Sequence, residues 1–190
     1  MHTKKKSLFL ALSITFAVAL TLANNVIANT EKKQEQLKVY FSAKLSKTEY
    51  QEINTKISNS IFNDKYNVFL PQDFIIPKLD NSFVEKCAYY VDKEAIDWAD
   101  IVFLRSPYGK DCSWEVGYAK GKNKFLVGFF QDKDSINDSM VTSSLDVIIT
   151  DNKDIMTALK SDKRTKDKCF FATKLEGCFD KVIANFYSKK

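Results

Sequence analysis

Short apolar runs, rich in β-branched and aromatic residues, alternate along this chain with longer polar stretches whose apolar positions recur at helical spacing. Residues 37–43 (LKVYFSA) form the first such run, and a helix-period segment over residues 47–62 follows it. Residues 66–71 (YNVFLP) repeat the strand signal. A proline-containing loop then covers 72–80, and residues 81–99 read as a helix with Phe83, Cys87, Tyr90 and Ile96 on its apolar face and Asn81 or Ser82 as N-cap. Further strands are expected at 100–104 (DIVFL), 124–130 (KFLVGFF) and, as the last one, 146–150 (DVIIT). A polar turn SPYGKD leads into a helix near 113–121, and a helix over roughly 175–187 closes the chain.

Strands that are short, continuous and apolar, separated by amphipathic helices, predict a parallel sheet buried on both faces. The fold class expected is therefore α/β, a doubly wound, flavodoxin- or Rossmann-like five-stranded parallel sheet with helices on both faces. Ligands of such sheets sit outside the carboxyl ends of the strands. That rule directs attention to residues 40–43, 70–73 and 105–111 and to the segment after Phe130. No dinucleotide glycine fingerprint or P-loop is present, which removes support from ordinary dinucleotide or ATP chemistry.

The first residues change the picture of where the protein works. Lys4, Lys5 and Lys6 precede an uncharged stretch over 7–23 and a polar segment with small residues at Val26 and Ala28, the order of a secretory signal peptide. We expect residues 1–28 to be the signal, with cleavage after Ala23 as the alternative, 29–36 to be a short tail, and 37–190 to be one domain. An uncleaved anchor is the weaker reading, because the apolar stretch is short for a bilayer span. The expected location is outside the cytoplasm, periplasmic or secreted.

With the leader set aside, the net charge of +5 falls to +2, with 26 basic against 24 acidic side chains. That balance is too slight for an electrostatic nucleic-acid footprint, and arginine is represented only by Arg105 and Arg164. No nucleic-acid partner is expected. An exported chain meets an oxidising compartment, and Cys169 and Cys178, which flank a loop-like FFATKLEG, are the favoured bridge among three possible pairings. The alternative is that all four cysteines are small buried hydrophobes. The lone histidine, His2, lies in the leader and no CxxC pair exists, so no metal site is expected.

The chemistry-bearing stretch is DCSWEVGYA over residues 111–119, where a strand-end loop enters a helix. Glu115 is expected in the first helical turn, where the dipole and free N–H groups favour a carboxylate, and Gly117 is expected to let the helix lie close to the sheet. Acidic residues also occur in first turns for dipole stabilisation alone. Tyr40, in the middle of the first strand, has a phenol suited to orienting a carboxylate, or is a core aromatic. Asp92 lies on a helix with Asp97 and Asp100 beyond it. Near a second carboxylate its pKa would rise and it would deliver a proton; alone it is a solvated charge.

The order of these pieces resembles the nucleoside 2-deoxyribosyltransferase family, including its relatives that hydrolyse 2'-deoxynucleoside 5'-monophosphates. The similarity runs from about Lys38 to Ile149. It rests on Tyr40 in VYFSA, on Asp92 eight residues before Asp100 of ADIV, and on Glu115 in EVGYA followed by a lysine-containing turn and an apolar strand. The resemblance implies a covalent mechanism without metal or organic cofactor. Glu115 attacks C1' of the sugar, Asp92 protonates the departing base, and Tyr40 orients Glu115. It further implies a nucleoside and a free nucleobase as partners and a homo-oligomer, at least a dimer, in which Asn137 reaches a neighbouring subunit's sugar.

The chain departs from the family pattern at two points. Ser42, Ala43 and Lys44 stand where the family has a glycine after the tyrosine. Asp111 precedes Glu115 by four residues where the family's aspartate precedes by about six. For Asp111, contact with a sugar hydroxyl or base and helix capping both stay open. Trp114 is a candidate to stack on a base or to pack at the helix start, and Arg105, at a strand end, is a candidate phosphate ligand. Three other readings remain: a (deoxy)nucleoside or nucleotide N-glycoside hydrolase, a TIR-like NAD glycohydrolase, and an exported non-catalytic nucleoside-binding module.

Overall fold

The structure is a computed structural model that describes residues 36–62, 64–74 and 81–187, without the side chains of 81–86. The expected leader, most of the tail and the N-cap side chains at Asn81 or Ser82 lie outside the described residues. Strand β1 (Leu37–Ser42) is followed by helix α1 (Thr48–Ile61), and β2 (Tyr66–Phe69) by a 3-10 turn (Pro71–Phe74) and α2 (Asn81–Trp98). Then come β3 (Ile101–Arg105), α3 (Lys110–Gly121), β4 (Phe125–Phe129), α4 (Lys133–Ile136), α5 (Ser139–Ser144) and β5 (Val147–Thr150). The chain ends with α6 (Lys153–Ser161), β6 (Cys169–Phe171) and α7 (Cys178–Phe186).

The strands form one six-stranded sheet in the order β2-β1-β3-β4-β5-β6, with every neighbouring pair parallel. The α/β doubly wound architecture is as expected, with one strand more than the five predicted. β6 is only three residues long, CFF among lysines, too short to show a period-2 pattern. It nevertheless pairs with β5 through Ile148, Ile149 and Thr150 and caps that edge. Three helices were also unforeseen. Side chains of Asp132, Asp138 and Asn152 accept backbone N–H bonds at the starts of α4, α5 and α6, and α4 and α5 are too short to carry an amphipathic signature.

Alternation along the strands splits the interior into two layers. Val39, Phe41, Phe103 and Phe129 face α1 and α7. Tyr40, Val102, Leu104 and Leu126 face the opposite layer, built by α2, α3, α5 and α6. The same alternation rules out the favoured disulfide. Cys178 belongs to the first layer and Cys169 packs against the second, so the sheet stands between them. Cys169 donates its thiol to the carbonyl of Thr165 instead, and all four cysteines are free. Denatured without reductant, the protein is expected to present four reactive thiols in a thiol-titration assay; two would restore a bridge.

Candidate active site

The chain leaves β1 toward β2 and returns across β1 to β3, so the winding direction reverses between β1 and β3. That switch point opens a crevice at the carboxyl ends of the two strands. Tyr40 and Ser42 lie two residues apart on β1 and therefore point to the same face, toward α3. The helix entering that crevice is α3, and it begins at Lys110 rather than near Ser113. Glu115 therefore sits in its second turn, not its first, and its ionisation is governed by burial rather than by the helix dipole. Gly117 is exposed and an added Cβ would meet no atom within 4 Å, so it does not serve a close approach to the sheet.

Glu115 is 7 % exposed. Ser42, fully buried, donates its hydroxyl to Oε2 of Glu115 at 2.5 Å. Burial pushes the Glu115 carboxyl up from 4.5 to about 7, a rise that the Ser42 hydrogen bond opposes and the neighbouring Asp92 and Asp111 charges reinforce. Asp92, half-buried on α2, is also raised, first by burial, with Tyr40 opposing and Asp111 adding to the rise. The Tyr40 phenol is enclosed and is raised by burial first and then by the charges of Glu115 and Asp92. Among the described residues its hydroxyl has no hydrogen-bond partner, although both carboxylates act on it, so it is a donor held ready beside them. Cys112 completes the wall, its buried thiol pushed up to about 12 by desolvation and so kept neutral.

Asp111 lies one turn before Glu115 on the same helix face, exposed at the rim. Tyr40, Asp92, Asp111 and Glu115 are thus brought together, with Ser42 as the member that residue-type reasoning overlooked. The signal was available in the departure from the expected glycine, since a serine two residues after Tyr40 must share its face. Trp114 does not join them. It is exposed and stacks on Tyr118 at 5.3 Å, with Tyr89 beside it, on the outer side of α3. Arg105 alternates to the other sheet face, where its Nη1 donates to Asn54. Asn137 is exposed at the end of α4.

Beside the cluster, Phe69 stacks on Tyr40 at 5.9 Å and on Phe74 at 4.4 Å. Phe69, Phe74, Tyr90 and Trp98 line an open apolar groove of about 500 Å³ along α2.

No protein-family model matches the chain, and no curated protein matches it. Among solved structures it is similar to a conserved protein from Enterococcus faecalis, over 80% of this chain and 99% of that one, at 15% identity and a TM-score of 0.50. It is also similar, at 20% identity and a TM-score of 0.46, to a 2-deoxyribosyltransferase from Bacillus psychrosaccharolyticus, over 68% of this chain and 95% of that one. The first likeness is one of fold.

A carboxyl lifted in the folded state makes the native chain hold more protons than the unfolded chain between pH 4.5 and about 7. Stability therefore falls as pH rises through that window, and the penalty is complete above it. Glu115→Gln removes the penalty while keeping an acceptor for Ser42. Relative to wild type, the variant should gain up to about 3 kcal/mol between about pH 5 and about pH 8 in urea unfolding. A pH-independent difference would mean that Glu115 is not buried in this way.

Proposed function

We propose that the protein cleaves the N-glycosidic bond of (2'-deoxy)nucleosides through a covalent glycosyl-Glu115 intermediate, as a deoxyribosyltransferase or a related N-glycosidase. The observation that carries this reading is the pairing of one enclosed carboxylate, held by Ser42, with a second carboxyl of raised pKa across the Tyr40 phenol. Two carboxyl groups whose environments differ are what acid and nucleophile roles require.

In the first displacement, an oxygen of Glu115 forms a bond to C1' as the bond from C1' to the base nitrogen breaks. The bonding pair leaves with the base, and Asp92 transfers its proton there. Oε2 is engaged by Ser42, which leaves Oε1 as the attacking oxygen. The Tyr40 hydroxyl, beside both carboxyls, donates to Glu115 during the displacement and favours its ionised form. In the second displacement a nucleobase or water attacks C1', Asp92 recovers the proton and Glu115 departs, so configuration at C1' is retained. The aromatic groove that Phe69 joins to Tyr40 offers stacking surface for the base. The reading includes export of the mature chain and a homo-oligomer in which the exposed Asn137 reaches a neighbouring copy's sugar hydroxyls.

Incubating the mature protein with 2'-deoxynucleosides, with and without a second free base, tests the reading by chromatography. Base is expected to be released or exchanged, and Glu115→Ala to reduce the rate at least about 10⁴-fold. If every deoxynucleoside and deoxynucleotide stays intact with wild type, the reading is wrong.

Because Glu115 attacks as the anion, kcat/KM should climb with pH through an apparent pKa of about 7. Ser42→Ala removes a hydrogen bond to the charged form, so the ascending limb should move up by about one pH unit, with kcat about tenfold lower. Ser42→Thr, which keeps the hydroxyl, should restore the profile. A limb that stays in place in Ser42→Ala would contradict the positioning role of Ser42.

A further inference from the structure

Two ridges of side chains meet along the outer seam between α2 and α3. Tyr89, Lys93 and Asp97 recur every four residues along α2, and Trp114, Tyr118 and Lys122 do the same along α3 and its C-cap. Residues four apart lie one above the other on a helix, so each set forms a continuous edge. The ring of Tyr89 is 5.1 Å from that of Trp114. Lys93 Nζ sits over the ring of Tyr118 at 5.8 Å. Asp97 accepts the Tyr118 hydroxyl through both oxygens, at 2.9 and 3.0 Å, and pairs with Lys122 at 3.2 Å.

Tyr118 is the centre of this seam. Trp114 stacks against its ring at 5.3 Å, Lys122 Nζ lies 5.3 Å from its centroid, and its hydroxyl crosses to α2. The acceptor is kept ionised. Lys93, 2.8 Å away, holds the Asp97 carboxyl well below the usual carboxylate range against the opposing effect of desolvation, and Tyr118 and Lys122 add to the fall. A hydroxyl that donates to an ionised carboxylate makes a stronger bond than one between neutral groups. The solvent-facing lysine pairs contribute little by themselves, because water screens them. Lys124 donates to the carbonyls of Asp97 and Ala99 at 2.8 and 2.6 Å, which fixes the end of α2 where Asp97 stands.

The seam runs alongside the carboxyl pair. Asp92 precedes Lys93 by one residue and Glu115 follows Trp114 by one, so along the helix axes both fall between the Tyr89–Trp114 contact and the Lys93–Tyr118 contact. Glu115 is buried and Asp92 half-buried, on the inner side of the ridges. The two carboxyls come from different helices, and their spacing is therefore the spacing of α2 and α3.

We propose that Tyr118 and Asp97 are positioning residues, whose hydrogen bond locks α2 to α3 and so sets the distance between Asp92 and Glu115. As a statement about catalysis this rests on the roles proposed for those two carboxyls; as a statement about spacing it stands on the seam alone. The consequence is electrostatic. Enclosure is the largest influence that raises Glu115, and the Asp92 charge adds to it. Parting the helices lengthens the separation and admits water, and both effects lower the Glu115 pKa.

The test is a carbon-13 NMR titration of side-chain carboxyls in the mature protein, with the Glu115 resonance assigned by its loss in Glu115→Gln. Tyr118→Phe removes the hydroxyl and keeps the ring, and Tyr118→Leu removes both. Neither changes a charge, so any movement of the Glu115 midpoint comes through geometry. Circular dichroism confirms that each variant is folded. The midpoint, about 7 in the wild type, should fall in Tyr118→Phe and fall further, by about one pH unit, in Tyr118→Leu. Tyr66→Phe is the control, because it deletes a hydroxyl bond of 2.6 Å to Asp180 in the layer on the other face of the sheet. It should lower stability in urea and leave the Glu115 midpoint in place. A midpoint within about 0.2 pH unit of wild type in folded Tyr118→Phe and Tyr118→Leu overturns the proposal, as does an equal shift in Tyr66→Phe. The titration needs no turnover, so a protein inert toward deoxynucleosides still answers the question of spacing, and an unmoved midpoint leaves cleavage by Glu115 untouched.

Discussion

The hydrogen bond from Ser42 to Glu115 is the interaction on which the rest of the site depends. A carboxylate buried beside two others is unfavourable, and the main groups acting on it among the described residues are hydroxyls and carboxylates. One hydroxyl from the end of β1 offsets part of that cost and fixes the side chain in one orientation. The hydroxyl is available because strand alternation sends Tyr40 and Ser42 to the same face. It meets α3 because that helix starts from the carboxyl end of β3, the strand paired with β1. The geometry of the site is thus a consequence of topology, and the position of the reversal in strand order sets where the carboxylate can be met.

The sheet also divides the chemistry. The face of α2 and α3 carries Asp92, Asp111 and Glu115 and is anionic. The face of α1 carries Arg105 with Asn54 and is cationic. A single layer of backbone separates two fields of opposite sign at the same strand ends.

Much of this was legible in the sequence because buried parallel strands read as continuous apolar runs. Leu37–Ser42, Ile101–Arg105 and Phe125–Phe129 all fall where the pattern put them. Tyr40, Asp92 and Glu115 lie near one another in the folded chain. What the sequence concealed was short or local. The strand Cys169–Phe171 is below the length at which alternation can be recognised, and α4 and α5 are held by aspartate caps rather than by an apolar stripe. Facing directions were the other loss. Trp114 and Arg105 are close in sequence to Glu115, yet a helix turns about 100° per residue and a strand reverses at each one. The first therefore lies on the outer surface and the second across the sheet. Residue type marked them as candidates, and only periodicity applied from a correct element boundary would have separated them. The start of α3 three residues earlier than expected moved that boundary.

The central claim is that Glu115, and not its neighbour Asp92, bonds to the sugar. Trapping tests it most directly. A 2'-deoxy-2'-fluoronucleoside carries an electron-withdrawing substituent that slows breakdown of a glycosyl ester, so the intermediate accumulates. Mass spectrometry of proteolytic peptides should then find the fluorosugar mass on the peptide containing Glu115, with no such adduct in Glu115→Gln. An adduct on the Asp92 peptide would contradict the account, as would turnover of deoxynucleosides with inverted configuration at C1' and no adduct on any residue.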